Sequence, residues 1–178
     1  MVEEVIPTIL TLTSFIFSAD SSNPPLNGIH FGDHDIIEFR RMREQVFKKN
    51  LALNAKVTAS SSRTQVKPAS LVDGDAGTYW ESTDSALTPV ITLNFKKAVT
   101  FNRLLLQDYI ALGQRVKSFR VEVLDHGQYK EIANETTIGH KRILLLPDTR
   151  TKGLRITITA AKACPVLSEV QLFRAPKS

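Results

Sequence analysis

Two aspartates, two glycines and a threonine are crowded between residues 73 and 78 of the stretch Ser70-Leu-Val-Asp73-Gly-Asp75-Ala-Gly-Thr78-Tyr-Trp80-Glu81, which runs through the only tryptophan. Such a loop suits a hard cation. Calcium takes six to eight oxygens at about 2.3–2.6 Å, and a tight turn supplies them from backbone carbonyls as well as from Asp and Thr side chains. The same residues are also ordinary turn formers, since Asp carboxylates bond nearby backbone N–H groups and Gly accepts positive φ. Both readings stand on the loop alone.

Other metal chemistry is poorly supplied. There is one cysteine, Cys164, so no intrachain disulfide and no thiolate cluster is available. Of the four histidines only His30 and His34 are spaced as a pair, and they straddle a Gly-Asp turn, so no zinc site is expected. Charge is uneven: all 23 Lys and Arg lie from Arg40 onward, whereas six of the 18 acidic residues precede it. That balance permits attraction to anionic partners. The basic residues are scattered, however, without aromatic interleaving or a basic helix, and a nucleic-acid partner is not expected.

The elements that must position the loop follow from hydrophobic period. At 178 residues the chain suits one substantial domain plus an appendage. Residues 1–27 form an apolar segment and linker. Val5 to Phe17 followed by Ser-Ala-Asp20 has the look of a secretory signal, although Met1-Val-Glu-Glu lacks the basic start such signals carry, and the run is too short to span a bilayer. Residues 28–50 contain one helix beginning near Asp33 and ending near Asn50. Its stripe of Ile36, Phe39, Met42, Val46 and Phe47 must dock either on the following body or on another domain. From Leu51 strands follow one another. Ile91, Leu93 and Phe95, then Phe119, Val121 and Val123, then Ile156 and Ile158 alternate with polar residues, so one face of each is buried. Leu104 to Leu106 and Ile143 to Leu146 are unbroken apolar runs, expected to be covered on both faces. Turn signals at Asp75-Ala-Gly77, Asp125-His-Gly127 and Pro147-Asp148 separate about eight strands. This pattern predicts an all-β fold, an antiparallel jelly-roll sandwich preceded by one amphipathic helix.

Several segments carry a family resemblance. Asn50-Leu-Ala-Leu-Asn54 leading to Ala59-Ser-Ser, the loop from Ser70 to Trp80, Phe101-Asn-Arg-Leu-Leu-Leu-Gln, Leu112-Gly-Gln-Arg-Val116, Phe119-Arg-Val-Glu122 and the terminal Leu167-Ser-Glu-Val-Gln-Leu-Phe173 resemble the discoidin domain. That family is also called the coagulation factor 5/8 type C domain, or family 32 carbohydrate-binding module. The likeness covers residues 51–175. More narrowly, Gln107 to Val116, Thr136-Thr-Ile-Gly-His-Lys-Arg-Ile143 and Arg155 through Glu169 are similar to the C-terminal module of family 29 α-L-fucosidases, and the helix of 28–50 resembles the end of their catalytic domain.

The resemblance implies a carbohydrate-binding module for galactose- or fucose-type glycans, partnered by a fucosidase catalytic domain. It places the family's catalytic carboxylates in a barrel upstream of the module. A barrel of that kind takes about 250 residues, so no catalytic residue and no hydrolase activity are expected of this chain. It also implies a structural calcium ion held by Asp73, Thr78 and Glu169 side chains with carbonyls of Ser70, Asp75 and Ser168. Trp80 is expected in the core, and Arg115 as a brace for a strand-end carbonyl or acid. Ligand contacts in this fold come from loops at one end of the sandwich; the candidates are Arg63, Glu81, Asp84, Tyr109 and His140 with Lys141, of which Arg63, Asp84, Tyr109 and His140 offer a planar cation, an acceptor, an apolar face and an imidazole. An extracellular or periplasmic setting is implied too. Two other readings follow from the same family: adhesion to a membrane surface through Ala86-Leu87 and Ile110-Ala-Leu112, which ranks below glycan binding, and simple support of the catalytic neighbour.

Overall fold

The computed structural model describes residues 31–176, with side chains described from Asp35 onward. The expected apolar segment and linker of 1–27 therefore lie outside the described residues, as does His30. The chain divides into two units, Met1–Phe39 and Arg40–Ser178, each described by itself.

Helix α1 spans Phe31–Val46, starting earlier and stopping sooner than the sequence pattern suggests. Within the second unit its last turn closes with the Phe47 N–H on the Arg43 carbonyl at 3.0 Å. Only the end of the apolar stripe is covered there. Val46 and Phe47 are half-buried, Phe47 meets Phe173 edge-to-face at 4.9 Å, and Met42 remains 52% exposed. Asn50 then fixes the entry into the sandwich. Its Oδ1 accepts the N–H groups of Ala52 at 2.9 Å and Leu172 at 3.2 Å, while the Leu51 N–H bonds the Leu172 carbonyl at 2.8 Å.

Seven strands follow: β1 (Lys56–Ala59), β2 (Trp80–Glu81), β3 (Val90–Asp108), β4 (Val116–Asp125), β5 (Gln128–Glu135), β6 (Arg142–Ala161) and β7 (Val166–Phe173). All pairings are antiparallel, and the result is a jelly-roll β-sandwich. Its two layers share β3 and β6, which pair along nearly their whole length. The first half of β3 lies between β1 and the second half of β6, with β4 and β5 beyond. The second half of β3 lies between β7 and the first half of β6, with β2 at the edge. Seven strands serve where about eight are expected because these two do double duty.

Pro147 and Asp148 do not reverse the chain as their turn chemistry predicts; they lie inside β6. Opposite them the ladder jumps from Phe101↔Thr149 to Arg103↔Leu145, so Pro147 sits in a bulge where no ladder hydrogen bond is needed from its nitrogen. Asn102 fills that irregularity by donating to Asp148 at 2.9 Å and accepting the Ala175 N–H at 2.8 Å. The hairpin at Asp125-His-Gly127 does form, with His126 at φ 46° and Gly127 at φ 84°. Two successive positive φ values match the twist of the joined strands, and glycine takes the second without steric cost.

Alternation places the core as expected: Ile91, Leu93, Phe119, Val121, Ile156 and Ile158 are buried between the layers, with Trp80 and Phe101 at 0% exposure. Leu104, Leu105 and Leu106 are covered on both faces. The second apolar run is not. Leu144 is buried, but Ile143 is 41% and Leu145 70% exposed, because that half of β6 is the outermost strand of its layer and its side chains alternate outward.

Candidate functional site

The acidic loop is anchored by a short 3-10 turn, Pro68–Val72, whose Leu71 and Val72 are buried. Beyond it the chain folds on its own side chains. Asp73 Oδ1 accepts the Asp75 N–H at 2.9 Å, and Asp75 Oδ1 accepts the Gly77 N–H at 2.8 Å. The Thr78 hydroxyl donates to Asp73 Oδ2 at 2.7 Å and lies 3.0 Å from the Asp75 carbonyl. Gly74 carries φ 83° with Leu53 packed beneath it, a conformation that a Cβ would strain.

Glu169 of β7 reaches this loop from the far end of the polypeptide. It is 1% exposed; its Oε2 accepts from Gln171 at 3.1 Å and its Oε1 is buried without a hydrogen-bond partner. Burial first, and then the negative charges of Asp73 and Asp75, push its carboxyl above the usual range, against opposing hydrogen bonds from Gln171 and the Gly74 N–H. A buried acid with an orphaned oxygen beside two more carboxylates is a donor set that a cation would satisfy. Among the described residues no three His, Cys, Asp or Glu side chains form a ready-made metal cluster, so backbone carbonyls would have to complete the shell. Ser70 is half-buried at the foot of the loop. Ser168 is fully buried, its hydroxyl 3.4 Å from the Gln107 carbonyl.

The rim is organised differently. The first polar loop is tied to β2 by the Arg63 N–H on the Glu81 carbonyl at 2.9 Å, and to the following loop by the Ser61 and Thr83 hydroxyls at 2.9 Å. The Arg63 guanidinium ion-pairs with Asp84 and lies 3.0 Å from Glu81 Oε2, close enough for charge pairing although Nε is misaligned for a hydrogen bond. From the other side Arg115 reaches Glu81 Oε1 at 3.1 Å and donates to the Cys164 carbonyl at 2.9 Å, the bracing role read for it in the sequence. Glu81 is thus a nearly buried anion between two guanidiniums. Burial of the Cys164 thiol beside it raises that thiol's pKa.

Of the four expected ligand residues, Arg63 and Asp84 form one pair. Tyr109 instead stacks on Tyr79, with centroids 4.5 Å apart and an interplanar angle of 22°. His140 is exposed on the turn after Gly139, whose N–H bonds Asp108 Oδ2 at 3.2 Å and whose carbonyl accepts the Asp108 N–H at 3.1 Å. Asp108 is 1% exposed, and burial pushes its carboxyl up to about 7. Tyr79 and Asp108 are not marked as site residues by sequence. The alternation around a core tryptophan, which turns residue 79 to the face opposite Trp80, is the signal that points to Tyr79.

A family model for the F5/8 type C domain matches residues 56–170. Alpha-L-fucosidase 1 of Arabidopsis thaliana is 31% identical over 143 residues, covering 76% of this chain and 28% of that protein. A GH29 fucosidase of Ruminococcus gnavus, solved in complex with fucose, superposes with a TM-score of 0.75 at 26% identity, covering 84% of this chain and 31% of that one. The family 32 CBM of C. perfringens NanJ, solved with galactose, shares the fold with a TM-score of 0.60 at 15% identity, covering 67% of this chain and 93% of its own. The chain spans little more than a quarter of the length of the curated relatives it matches.

Proposed function

The chain belongs to the F5/8 type C domain family, and from that premise we propose that it is a non-catalytic carbohydrate-binding module of an α-L-fucosidase-like glycoside hydrolase, holding galactose- or fucose-type glycans at its rim. The observation that carries this reading is Arg63, shared between the nearly buried Glu81 and the exposed Asp84. A guanidinium fixed by one carboxylate keeps its remaining donors in a set direction, and an adjacent exposed carboxylate accepts from hydroxyls. Together they match the vicinal hydroxyls of a sugar. The fucosidase relatives and the glycan-bound neighbours support the substrate class.

Hydrolysis is not assigned to these residues. Retaining cleavage needs two carboxyl groups about 5–5.5 Å apart across the bond, one acting as acid and one as nucleophile. Glu81 and Asp84 are both engaged by Arg63. Calcium belongs to the proposal as a structural ion: Asp73, Thr78 and Glu169 side chains and the Ser70, Asp75 and Ser168 carbonyls would hold it. Bound there, it would supply charge balance and tie the loop to β7. An extracellular or periplasmic setting is part of the same reading.

A glycan array of the wild type and Arg63→Ala tests it. Binding to galactosides or fucosides that falls about tenfold in the variant is expected, equivalent to about 1.4 kcal/mol; equal retention by both proteins would discard the rim. Leu87, Ile110 and Leu112 are 41–47% exposed and favour a second reading, attachment to a membrane surface. Flotation with anionic vesicles in the absence of any glycan binding would select it.

A further inference from the structure

Beside the acidic loop lies a groove of about 400 Å³ lined by residues 65–67, Ser70 and residues 77–79. That volume falls in the range of small-ligand sites, about 300–1,000 Å³. Its composition is that of a sugar subsite. Tyr79 offers an aromatic surface, Lys67 an ammonium with three donors, Gln65 an amide that both donates and accepts, and Ser70 adds a hydroxyl.

The groove is also held rigid. Tyr109 stacks on one face of Tyr79 at 4.5 Å, so the ring cannot turn away from the groove it lines. Gly77 and Thr78 form part of the wall and are fixed by the Asp75 and Asp73 carboxylates at 2.8 and 2.7 Å. A ring that keeps its orientation before binding loses little entropy when a pyranose lies on it. The apolar C–H face of the sugar meets the ring, and its hydroxyls meet Lys67 and Gln65, both exposed at the groove's lip.

We infer that this groove is a second glycan subsite, distinct from the Arg63–Glu81–Asp84 rim, in which one pyranose of an oligosaccharide stacks on Tyr79 and hydrogen-bonds Lys67 and Gln65. The inference rests on the carbohydrate-binding reading and deepens it: a chain contacting both places is read at two residues rather than one. It also gives Tyr109 a role different from direct contact, as the support behind Tyr79.

The test uses the full chain and 2′-fucosyllactose. Amide NMR shifts during titration are expected at residues 65–67 and 77–79 as well as at 81–84. The Gln65→Ala, Lys67→Ala double variant, altered only at exposed positions, is expected to bind about tenfold more weakly, and Tyr79→Leu more weakly still. Should Tyr79→Leu fail to fold, the double variant and the shift map decide alone. Shifts confined to 81–84 and 139–140, with wild-type affinity in the double variant, overturn the subsite and leave the rim standing. No binding of the trisaccharide, or of any glycan on an array, by the wild type overturns both.

Discussion

The acidic loop and the rim both gather carboxylates at the surface of the same sandwich, yet they solve opposite problems. At the rim each anion has a cation: Glu81 lies between Arg63 and Arg115, and Asp84 takes the other side of Arg63. At the loop Asp73 and Asp75 are bonded by backbone N–H groups and Thr78, and the nearby buried Glu169 by Gln171, with one Glu169 oxygen left without a partner. The rim is complete within the polypeptide and can turn its spare donors outward. Among the described residues no cation pairs with the loop's carboxylates.

That contrast is broken most severely at its centre. Glu81→Ala removes the anion between two guanidiniums and leaves like charges facing across a nearly buried space; a loss of about 3 kcal/mol is expected in chemical denaturation. A loss under about 0.5 kcal/mol would show that the rim is not held by its charges. Next in size is the response of the loop to calcium. At about a hundredfold excess over its dissociation constant the ion would stabilise the fold by about 2.7 kcal/mol, read as a rise in unfolding temperature that a chelator reverses. Glu169→Gln should abolish most of that rise. An unchanged wild-type melting curve would remove calcium from the account.

A finer test uses proton linkage. Burial raises the Glu169 carboxyl pKa in the folded state, so without metal the native chain holds its proton where the unfolded chain has lost it. Its contribution is then full below the ordinary glutamate range and is lost as pH rises through the raised value. Saturating calcium requires the carboxylate and should reverse that slope, whereas Glu169→Gln should flatten it under both conditions. Denaturation midpoints between pH 4 and 8 would show this. The smallest effect is expected from Asp84→Asn. Its side chain is 79% exposed, and such ion pairs contribute well under about 1 kcal/mol. Stability should hardly change while glycan retention drops, which would separate recognition from folding.

The sandwich itself was legible because period-two alternation reports burial directly, as at Phe119 to Val123 and Ile156 to Ile158. Where the pattern misled, local chemistry was overridden by position. Pro147-Asp148 has turn residues but lies opposite a bulge, and Ile143 and Leu145 look like core yet sit on an outermost strand. The site was less legible for a different reason. Arg63 and Asp84 are 21 residues apart and do pair, but whether Tyr109 and His140 join them depends on which strands intervene, and no local pattern encodes that. Tyr79 is not legible as a lining residue because its stacking partner lies 30 positions away in sequence.

The bonds at Asn50 and Asn102 have a practical consequence. The first clamps the incoming chain to Leu172, and the second clamps the outgoing chain at Ala175, three residues further on. Entry and exit therefore emerge side by side at one corner of the sandwich, like the two leads of a plug-in component. Such a body can be spliced into a surface loop of another protein with short flexible joints, without prying open the host or stretching the insert.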